Sequence, residues 1–421
     1  MTKSFADLAL RPEVLKSLSA AGFEKPFPIQ ELVIPIALTG VDLIGQAKTG
    51  TGKTLGFGLP IVNSVKAIGV IQALIVVPTR ELGVQVAEEL EKIGRDLSVA
   101  AVYGGRAIEP QIAQLNEGVD ILVATPGRLL DLHRQKALDL STVQQLVLDE
   151  ADEMLDLGFL PDVEKIFSLT PNRTQTMLFS ATMPGDVVVL ARKFLNQPTH
   201  IRAQEEDSGA VVKNISQFIY RTHALDKAEI VSRILRAEGR GQTMIFCRTK
   251  RTCQQLSDDL KERGFKSAAI HGDLGQAARE RALSDFKSNK RDVLVATDVA
   301  ARGIDIDGIT HVINYQCPED EKTFLHRIGR TARAGASGIA VTFVDWDELP
   351  RWSHINQALN LGVAEPIETY SSSDHLFSDL RITKENIAAI PKAKKEITKS
   401  ERPVRAKRDR KRTRKSTPGQ Q

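Results

Sequence analysis

The chain has 421 residues, 42% hydrophobic and 26% charged, a globular composition with room for about two or three domains. Its three cysteines, Cys247, Cys253 and Cys317, have no zinc-like spacing and form no even framework, which excludes a zinc module or disulfide scaffold and fits reduced, packed thiols. The net charge of +4 is uneven: Lys384 to the end holds 14 basic against 4 acidic residues, so 1–383 is net −6 and the basicity of the tail suggests a polyanion partner.

Met1 to Asp7 carries an early acid and no apolar core, so no signal peptide is expected there. No apolar run approaches the ~18 residues of a membrane span, so a cytoplasmic protein away from membranes is expected. Aliphatic runs at 42–45, 73–77, 120–125, 146–149 and 176–180 read as strands, with helix-periodic stretches such as 81–93 and 108–117 between them. That alternation predicts a parallel sheet covered on both faces. It pauses at the polar segment 204–213, read as a linker, and resumes with strands at 243–247, 267–270, 292–297, 311–315 and 339–344. Helices at 252–263, 277–287 and 321–328 separate these. The expected division is therefore a first α/β domain over 1–203, the linker 204–213, a second α/β domain over 214–362, and a polar linker with a basic tail over 363–421. The tail is apolar-poor and interrupted by Pro391, Pro403 and Pro418, so it is expected to be disordered. Trp346 and Trp352 are expected to pack a terminal helix on the second domain, with a partner surface as the alternative, and His271 to be a structural loop residue.

Two segments of the first half carry chemistry. Between a predicted strand and a predicted helix lies Ala47-Lys48-Thr49-Gly50-Thr51-Gly52-Lys53-Thr54. Glycines there let backbone amides approach a polyphosphate, the helix start adds its dipole, Lys53 meets β/γ charge, and Thr54 suits Mg²⁺. A strict phosphate-loop pattern has Gly where this chain has Ala47. Downstream, the buried run Leu146-Val147-Leu148 ends in Asp149-Glu150-Ala151-Asp152. Carboxylates at such a strand tip, after a phosphate loop, point to Mg²⁺-assisted NTP hydrolysis, with Asp149 holding the metal through water and Glu150 orienting or deprotonating the attacking water.

Further motifs follow in an order that resembles the DEAD-box ATP-dependent RNA helicases of superfamily 2, of the compact bacterial, RhlE-like kind, over about residues 1 to 362. Gly22-Phe23-Glu24-Lys25-Pro26-Phe27-Pro28-Ile29-Gln30, with Phe5 upstream, resembles the family's adenine-reading motif. The resemblance gives Phe23 the stacking role and Gln30 the adenine edge, and an amide does match adenine N6 and N7. Pro78-Thr79-Arg80-Glu81-Leu82, Gly104-Gly105 and Thr125-Pro126-Gly127-Arg128 resemble RNA-contacting motifs, although the last also fits an ordinary helix start with Pro in its first turn. Ser180-Ala181-Thr182 matches the motif coupling hydrolysis to strand separation, with Asp152 as a link to it. In the second half, Ile245-Phe246-Cys247, Gln276-Ala277-Ala278-Arg279 and the run from Ala296 to Asp305 match further motifs. The resemblance puts Arg279, Thr297 and Asp298 on RNA and Asp305 on the ribose. His326-Arg327-Ile328-Gly329-Arg330-Thr331-Ala332-Arg333 matches the arginine-finger motif, with Arg330 and Arg333 as fingers, His326 in coupling, and Ala332 where the family commonly has Gly.

The resemblance implies two tandem RecA-like domains, ATP and Mg²⁺ as ligands, and RNA as partner, with the chain acting as a monomer. Phosphate loop, carboxylates and adenine reader precede the linker while the fingers follow it, so hydrolysis is expected to require closure of a cleft. RNA contacts are split in the same way, so RNA and ATP should favour one another. Local unwinding of short duplexes, ATP-gated RNA clamping with little unwinding, and a DNA helicase of the same superfamily remain open. So does the address of the RNA, with ribosomal precursors and RNA-decay complexes both compatible.

Overall fold

The computed structural model describes residues 4–47, 51–202, 214–301, 306, 308–332 and 336–383. The expected linker 204–213 and the basic tail from Lys384 lie outside the described residues.

The first sheet contains β1 (Leu43–Gln46), β2 (Ala73–Val76), β3 (Val99–Val102), β4 (Ile121–Ala124), β5 (Gln145–Leu148), β6 (Gln175–Ser180) and β7 (Thr199–Arg202), in the order β3-β4-β2-β5-β6-β1-β7. All of its ladders are parallel. Side chains alternate between two cores. Ala73 and Ile75 of β2 join the cluster beneath the helices Pro28–Ala37, Lys53–Ser64 and Arg80–Ile93. Leu74 and Val76 join the opposite one, with Leu129, Ile166 and Leu190. Burial on both faces explains why these strands read as continuous aliphatic runs. β3 and β7 carry no such signal, because β3 is half alanine and only Ile201 of the edge strand β7 is buried.

The second sheet contains β8 (Ile215–Thr222), β9 (Gln242–Phe246), β10 (Ser267–Ile270), β11 (Val293–Ala296), β12 (Ile309–Asn314), β13 (Gly338–Val344) and β14 (Ile367–Thr369). Its order, β10-β11-β9-β12-β13-β8-β14, repeats that of the first sheet strand for strand. In both, the strand tips that open on ligand loops lie at the carboxyl edge, where open parallel sheets bind ligands.

The expected end of the second domain at 362 is too early. β14 pairs in parallel with β8. The helix Asp374–Asp379 follows, and Leu376, Leu380 and Ile382 are buried in one core with Ile230 and Ile245. The serine run that reads as linker is a fastened turn: the Ser371 amide donates to Asp226 Oδ2 at 2.6 Å and Tyr370 N to Ser373 Oγ at 2.9 Å. Short polar residues that bond local backbone make turns as well as linkers, and pattern alone does not separate the two. Trp352 is fully buried and donates to Val363 O at 2.7 Å, whereas Trp346 stays 55% exposed with the Arg221 guanidinium 4.1 Å from its ring centre. Cys247, Cys253 and Cys317 are buried free thiols. His271 is buried and pairs with Gln254 at 3.0 Å.

Candidate functional site

β1 delivers the chain to Ala47, whose amide donates to Ser180 O at 3.1 Å, and the helix Lys53–Ser64 begins on the far side of the loop. Lys48, Thr49 and Gly50 lie outside the described residues; Thr51 and Gly52 lead into the helix. Gly52 has φ +78°, and a Cβ there would run into the Gln30 amide and come within 2.8 Å of the Phe27 ring. Both its backbone and its surroundings demand glycine. Gln30 is fully buried; its Nε2 donates to Gly52 O at 2.8 Å and its Oε1 accepts from Phe27 N at 2.9 Å. The expected adenine reader is thus tied to the phosphate loop, with one N–H and one lone pair of its amide left for a base. Phe23 is half-buried against the first core.

Lys53 is 6% exposed, and its ammonium is buried without a hydrogen-bond partner. Such a group costs stability unless something completes it. Asp149, at the tip of β5, is 3% exposed and accepts from Glu150 N at 2.9 Å. Burial, opposed by Lys53 and aided by Glu150, raises the Asp149 carboxyl to about 6. Glu150 stands at φ +52°, a rare backbone state for a side-chain-bearing residue, and its Oε2 is buried without a hydrogen-bond partner. The Thr54 hydroxyl is hydrogen-bonded to the carboxylate of Glu89, which burial holds above its usual range. Hydroxyl and carboxylate oxygens are the hard donors that Mg²⁺ takes, and the orphaned ammonium suits a polyphosphate, so these residues fit a nucleotide–Mg²⁺ complex.

Asp152 is bound into the Ser180-Ala181-Thr182 run. Its Oδ2 accepts from Thr182 N at 2.8 Å and Thr182 Oγ1 at 2.7 Å, and its amide donates to Ser180 Oγ at 3.3 Å. These bonds, the Thr182 ones first, outweigh burial and hold its carboxyl below its usual range. A cleft joins this corner to the second domain, lined by Glu150, Asp152 and Thr182 on one side and Asp298, His326 and Arg330 on the other. Burial lowers the pKa of Arg330, while Glu150 and Glu153 across the cleft favour its charged form. The second expected finger, Arg333, and the expected ribose contact, Asp305, lie outside the described residues.

Arg327 is a residue to which the motif reading gave no part. It is 2% exposed and grips Asp298 with two bonds, Nε to Oδ1 at 2.6 Å and Nη2 to Oδ2 at 2.7 Å. Its Nη1 donates to Asn314 Oδ1 at 3.2 Å and Gln316 O at 3.1 Å. Asp298, expected on RNA, therefore has both oxygens committed to a buried guanidinium, which needs such a bidentate partner to be tolerated. Thr297 is also buried.

A second set of contacts crosses between the domains. Arg80 Nη1 donates to Gln276 Oε1 at 2.9 Å, and Glu81 pairs with Arg279 at 2.9 Å. Arg106 makes a two-pronged pair with Glu280, Nε to Oε1 at 3.1 Å and Nη2 to Oε2. Gly105, at φ +84°, lies against the Arg80 guanidinium, and Arg128 Nη2 donates to Arg106 O at 2.9 Å. Arg80, Gly105, Arg128 and Arg279 are thereby brought to one face. Thr79 caps the helix Arg80–Ile93, its Oγ1 accepting from Leu82 N at 3.3 Å. Thr125 precedes the helix Pro126–Arg134, and the space around Gly127 is open. Arg106 and Glu280 carry no motif letter, so only their approach in three dimensions marks them.

Residues 27–190 match the DEAD/DEAH box helicase family model, and 226–335 match the helicase conserved C-terminal domain. The ATP-dependent RNA helicase CshA of Listeria monocytogenes is 44% identical over 390 residues, spanning 92% of this chain and 74% of that protein. The chain belongs to the DEAD-box ATP-dependent RNA helicases. The CshA helicases of Geobacillus kaustophilus and Bacillus subtilis are each 45% identical, over 84% and 82% of this chain and 76% and 70% of theirs, and these matches carry the family without assigning a subtype. Among solved structures, S. cerevisiae Dbp5 bound to RNA and ADP BeF3 superposes with a TM-score of 0.77 at 30% identity, covering 91% of this chain and all of that one. A Dbp5 variant bound to Nup159, Gle1, IP6 and ADP gives 0.61 at 29% identity, covering 90% of this chain and all of that one. The two parallel-sheet units are RecA-like helicase domains, as the sequence implied. Among the described residues, no helix is long and apolar enough to cross a membrane.

Proposed function

We propose that this helicase uses the closed cleft to hydrolyse ATP only when RNA holds the two domains together. The observation that carries the reading is the approach of Arg330 to Glu150 and Glu153 across the cleft. In this reading Gln30 and Phe23 take the adenine, and Ala47, Lys48, Thr49, Gly50, Thr51 and Gly52 wrap the phosphates. Lys53 meets their charge, and Asp305 reaches the ribose. Thr54 and Asp149 would hold Mg²⁺, which supplies charge neutralisation on the phosphate oxygens. The buried, orphaned Oε2 of Glu150 is suited to accept a proton from the attacking water. Arg330, with Arg333, neutralises charge that develops on the transferred phosphoryl group, an effect worth ~10³–10⁵ in related chemistry.

Asp152, Ser180, Thr182 and His326 relay the state of that site to the RNA face. There Thr79, Arg80, Gly105, Thr125, Gly127, Arg128, Arg279 and Thr297 receive phosphates and riboses without reading sequence. The bridges Arg80–Gln276 and Glu81–Arg279 support this arrangement, since they put basic groups of both domains beside one another. So does the superposition on Dbp5 with RNA and ADP BeF3, at a TM-score of 0.77. Asp298 serves here as the anchor of Arg327. Both halves of the site lie on one chain, which supports a monomer, and a cytoplasmic location suits RNA work.

Phosphate release by the full chain, with and without single-stranded RNA, tests the reading beside a short-duplex displacement assay. RNA-stimulated release that Glu150→Gln lowers at least about a hundredfold, with ATP still bound, is expected. Stimulated hydrolysis without displacement would assign the chain to clamping.

A further inference from the structure

Phe27 breaks two local rules at once. It is the N-cap of the helix Pro28–Ala37, a position that favours Ser, Thr, Asp or Asn because their oxygen can accept from the first turn. A phenyl ring supplies no such bond. The ring is also 51% exposed in a chain with only 5% aromatic residues. Its backbone, in turn, leans on the base-reading side chain, because Phe27 N donates to Gln30 Oε1 at 2.9 Å. Residues that violate local preference without a packing gain collect at functional sites.

The place of the ring gives it a task. Its Cδ2 lies 2.8 Å from where a Cβ of Gly52 would be, and the Gln30 amide crowds the same point. Ring and amide therefore flank the residue before Lys53. The amide retains one donor and one acceptor, the pattern that matches adenine N7 and N6. Phe23 is half-buried against the core and offers less free ring surface than Phe27. We infer that Phe27 is a further specificity-determining contact of the nucleotide site, an apolar face for the purine base held by Gln30. This rests on the reading of the site as an ATP site.

The effect of a stacked ring depends on the base and not on the phosphates, since aromatic–base contact is made through the π-face. Calorimetric titration of the full chain with ADP and with tripolyphosphate, which has no base, separates the two. Phe27→Thr restores a capping oxygen, so loss of folding does not obscure the result. ADP affinity is expected to fall about tenfold in Phe27→Thr and to return in Phe27→Tyr, while tripolyphosphate affinity is unchanged in both. Wild-type ADP affinity in Phe27→Thr would overturn the inference, as would an equal loss for tripolyphosphate or no recovery in Phe27→Tyr. Lys53→Ala is run alongside. If it binds ADP as wild type does, the site reading itself fails; if it loses ADP while Phe27→Thr does not, only the inference about Phe27 fails.

Discussion

In each domain a lysine begins the helix that follows the first strand: Lys53 after β1 and Lys227 after β8. Because the strand orders are the same, the two ammonium groups occupy equivalent places at the carboxyl edge of their sheets. Their surroundings are opposite. Lys53 follows a glycine with positive φ and ends in a buried ammonium without a hydrogen-bond partner, beside Asp149. Lys227 follows Asp226, is 2% exposed, and donates to Asp345 Oδ2 at 2.6 Å and Tyr315 O at 3.0 Å. Asp345 follows β13 and Tyr315 follows β12, the counterparts of β6 and β5. The second domain fills with its own carboxylate the place that, in the proposed reading, the first leaves for a phosphate. In the proposed reading one architecture thus holds a reactive site in one copy and a sealed, structural pair in the other, which is why the fold alone assigns no activity.

The contrast can be broken at several points. Lys53→Ala should lower RNA-stimulated phosphate release by at least about a hundredfold, because a charge-assisted contact to the phosphates is lost. Lys227→Ala should leave nucleotide affinity unchanged but destabilise the second domain by about 3 kcal/mol, since removing one member of a buried pair strands the other. Replacing Lys227 and Asp345 together by Met and Leu should recover most of that loss in a urea melt. A fall in ATP affinity in Lys227→Ala would end the distinction between the two lysines.

A smaller difference lies in acid sensitivity. His311 on β12 is 3% exposed, and burial, aided by Arg240, lowers its pKa to about 4. The folded state therefore keeps it neutral, while the unfolded chain takes up the proton below its ordinary 6.5. Its contribution is whole above pH 6.5 and is lost as pH falls toward 4, by about 2 kcal/mol at pH 5. The first domain has no buried histidine among the described residues, so the second should melt first in acid. Urea melts followed at pH 7 and pH 5 would show this, and His311→Gln should flatten the difference. The smallest expected effect is at Ala332, which stands at φ +55°. The methyl group there is a backbone matter, and Ala332→Gly should stabilise the second domain by about 1 kcal/mol.

Much of this is legible in the sequence. Continuous aliphatic runs located five strands of each sheet, because a strand buried on both faces must be apolar throughout. β14 escaped because it is short and has two of its three residues exposed, and the helix after it escaped behind a polar turn. At the site, the phosphate loop and the acidic strand tip are each a contiguous run of residues, which a local pattern can show. The grip of Arg327 on Asp298 is not legible from the motif, because the two lie 29 residues apart and only the fold brings them together. The Arg106–Glu280 bridge joins residues 174 apart, and no local pattern encodes it.

The central claim is that a site divided between Glu150 and Arg330 waits for RNA to close it. Steady-state phosphate release by the wild type and by Arg330→Ala, each with and without single-stranded RNA, tests it most directly. RNA should raise wild-type turnover strongly, and Arg330→Ala should remove at least about a hundredfold of the stimulated rate while still binding ATP. Turnover that is the same with and without RNA, or stimulated turnover that survives in Arg330→Ala, would contradict it.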